Sequence, residues 1–363
     1  MCQMAGPPGL CRRMSPAVRS SGPAWRWRRA PLLIPTGSAP RVPLWHASPV
    51  TTIKLGAQIS SQCDDWQTLL AAARLADDLG YDYVFMPDHL TPLQGPEDAT
   101  MFEGIAGTSA IAAATRNVKI GLLVGSNTFR SPTVLAKSVA TIDHISNGRA
   151  VLGLGGGWHA REHEAWGVDF GRSAGQRLDW LDEALSVIRP LLSGDTITHS
   201  GDRYRTDRLY LSPQPIQDRL PIMVGGVGEK KTLRTVARFA DIWNAQVSLD
   251  GAQHKIDVLQ RHCDDAGRDI GEIELSIDSG PMIRDTAAQA RAAVAELAVA
   301  RGATPPDPAS PYHWVGTVDE LAERILAYKA LGFTTVTCSF GPPYDEETMT
   351  RLMREVKPLV EGA

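Results

Sequence analysis

The chain has 363 residues, a net charge of −4 at neutral pH and 43% apolar residues, enough for one large domain or two average ones. The charged residues of the first 50 positions are all arginines, so the remainder carries 30 basic against 41 acidic residues, a net charge of −11. Such an acidic body argues against nucleic-acid binding, and no apolar run approaches the ~18 residues of a membrane span.

Residues 1–50 are rich in Pro, Gly, Ser, Arg and Trp and show no periodicity, and we predict that they form a disordered N-terminal extension. Their Arg-rich, acid-free composition is compatible with an organelle transit peptide or with a basic tail that touches anions. We favour a third explanation, a mis-set translation start, with the working protein beginning near Val50.

The cysteines show no Cys-x-x-Cys spacing and are odd in number. This pattern predicts free thiols in the reducing cytoplasm rather than disulfides or zinc ligands. The residues concerned are Cys2, Cys11, Cys63, Cys263 and Cys338.

From residue 51 onward, short apolar runs alternate with segments of helical periodicity. The predicted strands cover residues 53–59, 83–88, 118–124, 150–154, 222–224, 240–243, 273–277 and 334–339. The predicted helices cover residues 66–79, 101–115, 133–145, 176–192, 229–239, 255–266, 287–301, 318–331 and 346–360. Residues 193–220 interrupt the rhythm as an insertion, and prolines mark a loop at 305–311. The pattern predicts an α/β fold, a single (β/α)8 TIM barrel over residues 51–363 with an insertion after the fourth β/α unit, rather than an open doubly wound sheet.

The chemistry of such barrels lies where strands end and helices begin. The second predicted strand ends in Asp88 and His89. His89 could exchange a proton near neutral pH, or it could only shape the loop. Asp88 could orient the imidazole or cap the next segment. Asn127, after the third strand, could hydrogen-bond a planar ring through its amide or simply form a helix-entry turn.

The fourth predicted strand ends in three consecutive glycines, Gly155, Gly156 and Gly157, which clear space for a flat group beside the backbone. The side chains that follow could line a pocket; they are Trp158, His159, Arg161 and Glu162. The alternative is a flexible hinge. His159 and His163 have the spacing of two metal ligands on a helix, but no third ligand is nearby, so we predict no metal site.

After the fifth predicted strand comes a glycine-rich turn that leads into a helix. It consists of Gly225, Gly226, Val227, Gly228 and Glu229. Bare amides beside a helix N-terminus can bind an anion, so the turn is either a phosphate site or only a tight connection. Its spacing is neither Gly-x-Gly-x-x-Gly nor a P-loop, and the chain lacks the Gly-x-Ser-x-Gly motif of serine hydrolases.

Together these segments resemble the bacterial luciferase-like superfamily and, within it, the oxidoreductases that depend on the deazaflavin coenzyme F420. The resemblance covers about residues 52–350 in order and with matching spacing. The matching motifs are Met86-Pro87-Asp88-His89, residues 127–132 (Asn-Thr-Phe-Arg-Ser-Pro), residues 140–149 (Ala-Thr-Ile-Asp-His-Ile-Ser-Asn-Gly-Arg), residues 155–158 with Glu162 and Gly167, and residues 225–230 through 241–244.

The resemblance implies that a flavin-like ring lies at the barrel mouth with its phosphate on the 225–229 turn. It places His89 beside the hydride-carrying carbon, as a proton donor or acceptor or as a group that steadies transition-state charge. It also implies a non-proline cis peptide at Leu123–Val124 behind the ring. The expected cofactor contacts are Asp88, His89, Leu123, Val124, Asn127, Gly156, Gly157, Trp158 and the 225–229 turn.

The chain departs from the sugar-phosphate dehydrogenases of this family at two positions. They carry Glu directly after the glycines of the fourth strand, where this chain has Trp158, and Trp four residues after the His, where it has Leu93. Glu162 is then the nearest candidate acid, so the predicted catalytic residues are His89 and Glu162. Trp158 would favour a less polar substrate.

We therefore expect an F420-dependent oxidoreductase that exchanges a hydride with a small organic substrate. The alternative on the same fold is an FMN-dependent monooxygenase with a separate reductase as partner. A further alternative is a non-catalytic flavin carrier or sensor. Family analogy predicts a cytoplasmic homodimer.

Overall fold

The computed structural model describes residues 52–63, 65–301, 303–304, 307 and 310–362. The predicted disordered extension at residues 1–50 lies outside the described residues, as do Cys2 and Cys11. Cys63, Cys263 and Cys338 are buried free thiols.

Eight parallel strands of the described residues close into a barrel, which confirms the predicted fold. The order around the barrel is β1-β2-β3-β5-β8-β9-β10-β12, and β12 returns to pair with β1. The strands are β1 (Lys54–Ile59), β2 (Tyr83–Met86), β3 (Lys119–Leu122), β4 (Gly125–Ser126), β5 (Ala150–Gly155), β6 (Ile197–Ser200), β7 (Arg205–Leu209), β8 (Ile222–Gly225), β9 (Ile242–Ala245), β10 (Glu274–Ile283), β11 (His313–Gly316) and β12 (Phe333–Phe340).

Helices with one apolar face cover the outside of the barrel. Local signals set their ends: Asp65 accepts a hydrogen bond from the amide of Thr68 at the start of the first helix, and Gly80 ends it in a left-handed conformation. The helices are α1 (Trp66–Leu79), α2 (Gly104–Ala114), α3 (Pro132–Ser146), α4 (Ala160–Trp166), α5 (Ala174–Leu192), α6 (Thr232–Phe239), α7 (Leu249–Ala266), α8 (Ala287–Ala300), α9 (Val318–Ala330), α10 (Glu346–Arg351) and α11 (Lys357–Glu361). Within the described ranges, no helix combines the length and apolarity required to cross a bilayer.

Several of the described elements differ from the sequence prediction. The seventh barrel strand, β10, continues to Ile283 instead of ending at Ile277 and pairs there with β11, a short strand that follows the Pro-rich loop. The predicted insertion contains the antiparallel hairpin β6–β7. The helix α4 follows the glycines of β5, where no helix is predicted. The last predicted helix is interrupted by a π-helical turn at Leu352–Val356.

The core has two parts, because alternate residues of each strand face opposite sides of the barrel wall. The larger cluster lies between the strands and the helices. The smaller cluster lies inside the barrel and comprises Tyr83, Phe85, Leu123, Val151, Met223 and Ile242, with Val124 packed against it. Phe85 faces the inside of the barrel. Because Gln58 pairs with Phe85 and with Ser339, the side chains of Gln58 and Ser339 lie on the same inner face.

Val124 sets how closely three strands approach at the mouth. A Cβ atom on Gly155 would lie 2.8 Å from Val124 Cγ2, and one on Gly225 would lie 2.9 Å from the same atom. Real Cβ atoms do not approach other carbons this closely, so both positions require glycine. The peptide bond Leu123–Val124 is cis, at the position that the family resemblance implies.

We predict that Gly155→Ala lowers the free energy of unfolding by roughly 1–3 kcal/mol, because the added methyl group overpacks against Val124. Thermal or urea unfolding followed by circular dichroism measures this. Gly175→Ala is the matched control: its Cβ would meet Lys231 Nζ at 3.6 Å and Ser173 Oγ at 3.7 Å, both ordinary contacts, so we expect unchanged or higher stability. The double variant Gly155→Ala/Val124→Ala should recover part of the loss. Wild-type stability of Gly155→Ala alone would contradict the packing argument.

Candidate active site

His89 and Glu162, the two candidate catalytic residues, meet at the barrel mouth. His89 follows β2, and its Nδ1 lies 3.1 and 3.2 Å from the two carboxylate oxygens of Glu162. Glu162 belongs to α4 and is 1% exposed, whereas the His89 side chain keeps contact with solvent. The backbone amide of Leu90 also donates to Glu162, at 2.9 Å. The carboxylate therefore holds the loop after β2 and fixes the imidazole together.

The charge of Glu162 is stabilised where it lies. Burial raises the pKa of Glu162, but the hydrogen bonds from His89 and Leu90 and the nearby positive charge of His89 and His159 lower it more. The net result is a pKa below the ordinary value, so the group is ionised near neutral pH. An ionised carboxylate accepts a proton-bearing Nδ1, which leaves Nε2 of His89 as the nitrogen free to exchange a proton.

Trp158 and His159 extend this pair into an aromatic wall. The Trp158 ring lies 5.5 Å from the His89 ring at an angle of 76°, and the His159 ring lies 5.1 Å from Trp158. Trp158 is 66% exposed. A large exposed indole beside a candidate proton-transfer group is available to contact an apolar ligand.

Short contacts of His163 hold α4 in place. Its Nε2 lies 2.6 Å from Thr128 Oγ1, and its Nδ1 lies 2.8 Å from the carbonyl oxygen of His159. Both ring nitrogens thus have protein partners. Within the part of the chain that the structure describes, no group of three His, Cys, Asp or Glu residues could hold a metal ion.

Asp88 anchors the loop after β2 through hydrogen bonds of its carboxylate. Its carboxylate accepts two hydrogen bonds from Arg130, at 2.7 and 2.9 Å, and one from the amide of Ser126, at 2.9 Å. Arg130 also pairs with Glu103. Burial lowers the pKa of Arg130, but Asp88 and Glu103 raise it more, so the cation is maintained. The Asp88 carboxylate is engaged by protein groups, and a direct role in cofactor binding stays a prediction.

Asn127 is buried behind the bulge after β3. Its side-chain amide donates to the hydroxyl of Tyr204 at 3.3 Å, and its backbone amide donates to Gly155 at 3.0 Å. The carbonyl oxygen of Leu123 accepts a hydrogen bond from the Gln58 side chain. Tyr204, at the turn of the β6–β7 hairpin, is a neighbour that the sequence did not indicate, because the hairpin lies within the predicted insertion.

The 225–229 turn offers unused backbone donors. Of its amides, Gly226 donates to Asn244, whereas those of Val227 and Gly228 have no acceptor among the described residues. The helix α6 begins three residues later, at Thr232, and its first turn has no side-chain cap. The Glu229 carboxylate accepts from Lys255, at 2.5 Å, and from His254, at 3.1 Å. Those hydrogen bonds lower the pKa of Glu229 and offset its charge beside the free amides.

The opposite part of the barrel wall carries polar side chains that the sequence analysis did not select. Asp278 on β10 accepts a hydrogen bond from Thr337 Oγ1 at 3.1 Å. Asn244 on β9 donates to the same Thr337 oxygen, also at 3.1 Å, and Ser339 donates to Gln58. The register Asp278↔Thr337↔Gly56↔Tyr83 places Asp278 on the inner face. The signal that could have found it is a carboxylate one residue beyond a predicted strand.

A surface groove of about 1240 Å³ lies elsewhere, between α5, the β6–β7 hairpin and α6. Ion pairs such as Lys231–Asp179, at 2.7 Å, and Arg238–Asp182 occupy it. None of the candidate residues lines this groove. Surface charges that are already paired with one another are poorly available for binding a ligand, so the volume of this groove does not make it the candidate site.

The sequence profile of a family described as luciferase-like monooxygenase matches residues 46–314. An F420-dependent hydroxymycolic acid dehydrogenase from Mycobacterium tuberculosis is 30% identical over 240 residues, 66% of this chain and 65% of that protein. An FMNH2-dependent dimethylsulfone monooxygenase from Pseudomonas fluorescens is 26% identical over 323 residues, 79% of this chain and 85% of that protein.

A solved structure shares the fold. It is an F420-dependent secondary alcohol dehydrogenase in complex with an F420–acetone adduct, with a TM-score of 0.72 and 21% identity. The alignment covers 85% of this chain and 99% of that one.

We predict that Asp88→Asn lowers the free energy of unfolding by about 3 kcal/mol, because it leaves the half-buried Arg130 without a full counter-charge. Unfolding in urea measures the loss. Glu97→Gln is the control, since Glu97 meets Arg161 only at 3.4 Å on the exposed surface, and this variant should unfold like the wild type. Equal stability of the two variants would show that Asp88 does not hold the loop.

Proposed function

The chain belongs to the luciferase-like monooxygenase family, and from this membership and its site we propose that it is an F420-dependent oxidoreductase acting on an organic substrate. The observation that carries the proposal is the His89–Glu162 pair: a solvent-accessible imidazole whose Nδ1 is held by a buried carboxylate. Such a pair suits proton exchange with a substrate that gains or loses two electrons.

The 225–229 turn fits the phosphate of such a cofactor. The amides of Val227 and Gly228 lack protein acceptors among the described residues, and α6 begins nearby without a side-chain cap. Both features favour an anion. A Cβ on Gly228 would lie 2.8 Å from Thr232 Oγ1, so the turn has no room for a side chain.

When bound, the cofactor would supply two-electron chemistry, the transfer of a hydride to or from the substrate carbon. The chain's residues manage the proton that accompanies it. Nε2 of His89 would accept a proton from a substrate hydroxyl or return one to a carbonyl oxygen. Glu162 would stabilise the imidazolium through Nδ1 and keep the ring oriented. Trp158 would exclude water on one side and favour an apolar part of the substrate.

The second candidate is an FMN-dependent monooxygenase, which the similarity to the dimethylsulfone monooxygenase supports. We rank it below the first because the quoted motifs match the F420-dependent class and because of the 30% identity to an F420-dependent dehydrogenase. Both candidates use the turn as a phosphate site. A homodimer stays a prediction.

Titration of the purified protein with each cofactor separates the two candidates. We expect F420 fluorescence to change on binding, with F420 held at least about tenfold more tightly than FMN, a free-energy difference of roughly 1.4 kcal/mol. Tight FMN binding without F420 binding would remove the first candidate in favour of the second.

Replacement of the imidazole tests its role. His89→Ala should lower turnover of a substrate found in an alcohol and ketone panel by about 10²–10⁴-fold, while F420 affinity changes little. The change in deazaflavin absorbance measures turnover: oxidised F420 is consumed with an alcohol, and it is formed from reduced F420 with a ketone. His144→Ala is the control, because His144 lies on α3 and contacts only the carbonyl of Gln214. Unchanged turnover in His89→Ala would end the proton-transfer role. Cofactor binding without any turnover would favour a carrier.

The phosphate site is tested separately. Gly228→Ala should weaken cofactor binding by about tenfold or more, because the new methyl group displaces Thr232 and narrows the approach to the free amides. Gly175→Ala again serves as the control. An unchanged dissociation constant in Gly228→Ala would show that the turn is only a connection.

A further inference from the structure

The inner face of the barrel is divided chemically. On the side of β2, β3, β5 and β8 it is apolar: Phe85, Leu123, Val151 and Met223 pack together, with Ile242 from the start of β9. Beyond Ile242, the side formed by β9, β10, β12 and β1 is polar, and hydrogen bonds link its side chains. The polar side chains are Asn244, Ser276, Asp278, Thr337, Ser339 and Gln58. The acidic side chains on this face of β10 are Glu274, which pairs with Lys54 at the start of the strand, and Asp278.

Asp278 has hydrogen-bond donors around it but no cation. Thr337 Oγ1 and the amide of Ser279 donate to its carboxylate. It forms no ion pair with any Lys, Arg or His of the described residues. A carboxylate at the inner wall with only neutral donors is incompletely stabilised when ionised.

The charged and titratable groups of the neighbouring elements are committed elsewhere. Arg301, at the end of α8, donates to the carbonyl oxygens of Gly341 and Pro342. Arg284, directly after β10, pairs with Asp345, the N-cap residue of α10. Two further groups near Asp278 are neutral in their ordinary forms. They are Tyr312, which hydrogen-bonds to Ser339, and Cys338 on β12. The ring of His313 packs against the ring of Tyr312, with 4.9 Å between the ring centres.

The electrostatic consequence is that the ionised form of Asp278 is less stable here than in water. Burial raises the pKa of Asp278 to about 7, and the hydrogen bonds from Thr337 and Ser279 lower it only in part. Asp278 is nevertheless only partly buried as a residue. A cation that reaches the carboxylate would displace the proton and replace it as the counter-charge.

We propose that Asp278 is a recognition site for a basic nitrogen, so that the substrate carries a protonated amine in addition to the carbon that exchanges a hydride. The inference rests on the proposed function in that it places the substrate at the barrel mouth. The apolar side and Trp158 contact the hydrocarbon part, and Asp278 on the polar wall binds the ammonium group. The substrate class is therefore an amphipathic organic amine.

The test compares two ligands of equal shape, cyclohexylamine and cyclohexanol, by isothermal titration calorimetry at pH 8.0 and pH 6.0. An alkylamine, like lysine, stays protonated at both values, so only the protein changes its charge. At pH 8.0 the wild type should bind the amine at least about tenfold more tightly than the alcohol. At pH 6.0 this preference should fall several-fold, because Asp278 regains its proton.

Two variants locate the effect. Asp278→Asn keeps the shape of the side chain but not its charge and should lose both the amine preference and its pH dependence. Asp207→Asn, a change of an exposed carboxylate on β7, should keep both. Equal affinity of the wild type for the two ligands, no binding of either, or a preference that persists in Asp278→Asn would overturn the proposal.

The change of the wild-type amine preference between pH 8.0 and pH 6.0 tests the proposal even if Asp278→Asn folds poorly. The pH dependence of the melting temperature is a second, independent measurement. A carboxyl group whose pKa is raised in the folded state contributes stability at low pH that is lost as the pH rises toward about 7. Asp278→Asn should therefore raise the melting temperature relative to wild type more at pH 8.0 than at pH 5.5. An equal shift at both values would show that Asp278 does not retain its proton.

Titration of F420 into the same variants separates this inference from the proposed function. Unchanged F420 binding in Asp278→Asn together with a lost amine preference supports both. An amine preference in a protein that binds no F420 would leave the recognition site in place and end the F420 proposal. Lost F420 binding in Asp278→Asn with no effect on the amine would make Asp278 a cofactor contact and overturn the amine proposal.

Discussion

The packing of Val124 against glycine is the constraint on which the barrel mouth depends. Gly155 on β5 and Gly225 on β8 have no side chains at the points where Val124 lies, and a Cβ on either would come within 2.9 Å of it. The same glycines leave bare backbone at the mouth. One steric requirement therefore shapes the wall behind the proposed cofactor and brings the 225–229 turn beside it. Gly225 serves this packing directly, so not every glycine of the turn is there for a ligand.

Glu162 shows how a short element completes such a site. The helix α4 has only seven residues, too few to be stable alone. The contacts of His163 with Thr128 and of Glu162 with the loop after β2 hold it against the barrel. Because the carboxylate binds both the Leu90 amide and His89 Nδ1, the position of the loop and the orientation of the imidazole are coupled. Movement of α4 would change both together.

The sequence was sufficient for the parts of the fold that depend on local periodicity. The eight barrel strands, their order and the flanking helices follow from apolar runs that alternate with helical patterns. The segments that were missed depend on distant partners. The strand β11 exists because β10 continues past Asp278 and offers it a neighbour, in the register Gly280↔His313. Gly280 and Pro281, of residue types that are uncommon within strands, are paired there with His313 and Trp314. The helix α4 is too short for its periodicity to be recognised.

The same distinction explains the site. The sequence indicates His89 by its position at the end of a barrel strand and Glu162 as the nearest acid where the related dehydrogenases carry Glu, but their hydrogen bond joins residues 73 positions apart and requires the structure. The surroundings of Asp278 cannot be inferred from the local sequence, because the nearby polar side chains of Thr337 and Asn244 come from two other strands. The two carboxyl groups then occupy opposite electrostatic situations. Donors and positive charge lower the pKa of Glu162, and burial without a cation raises that of Asp278 to about 7. Glu162 is thereby suited to stabilise an imidazolium. Asp278 is suited to give up its proton when a cationic ligand binds, so the two carboxyl groups give the barrel mouth two chemically different sites.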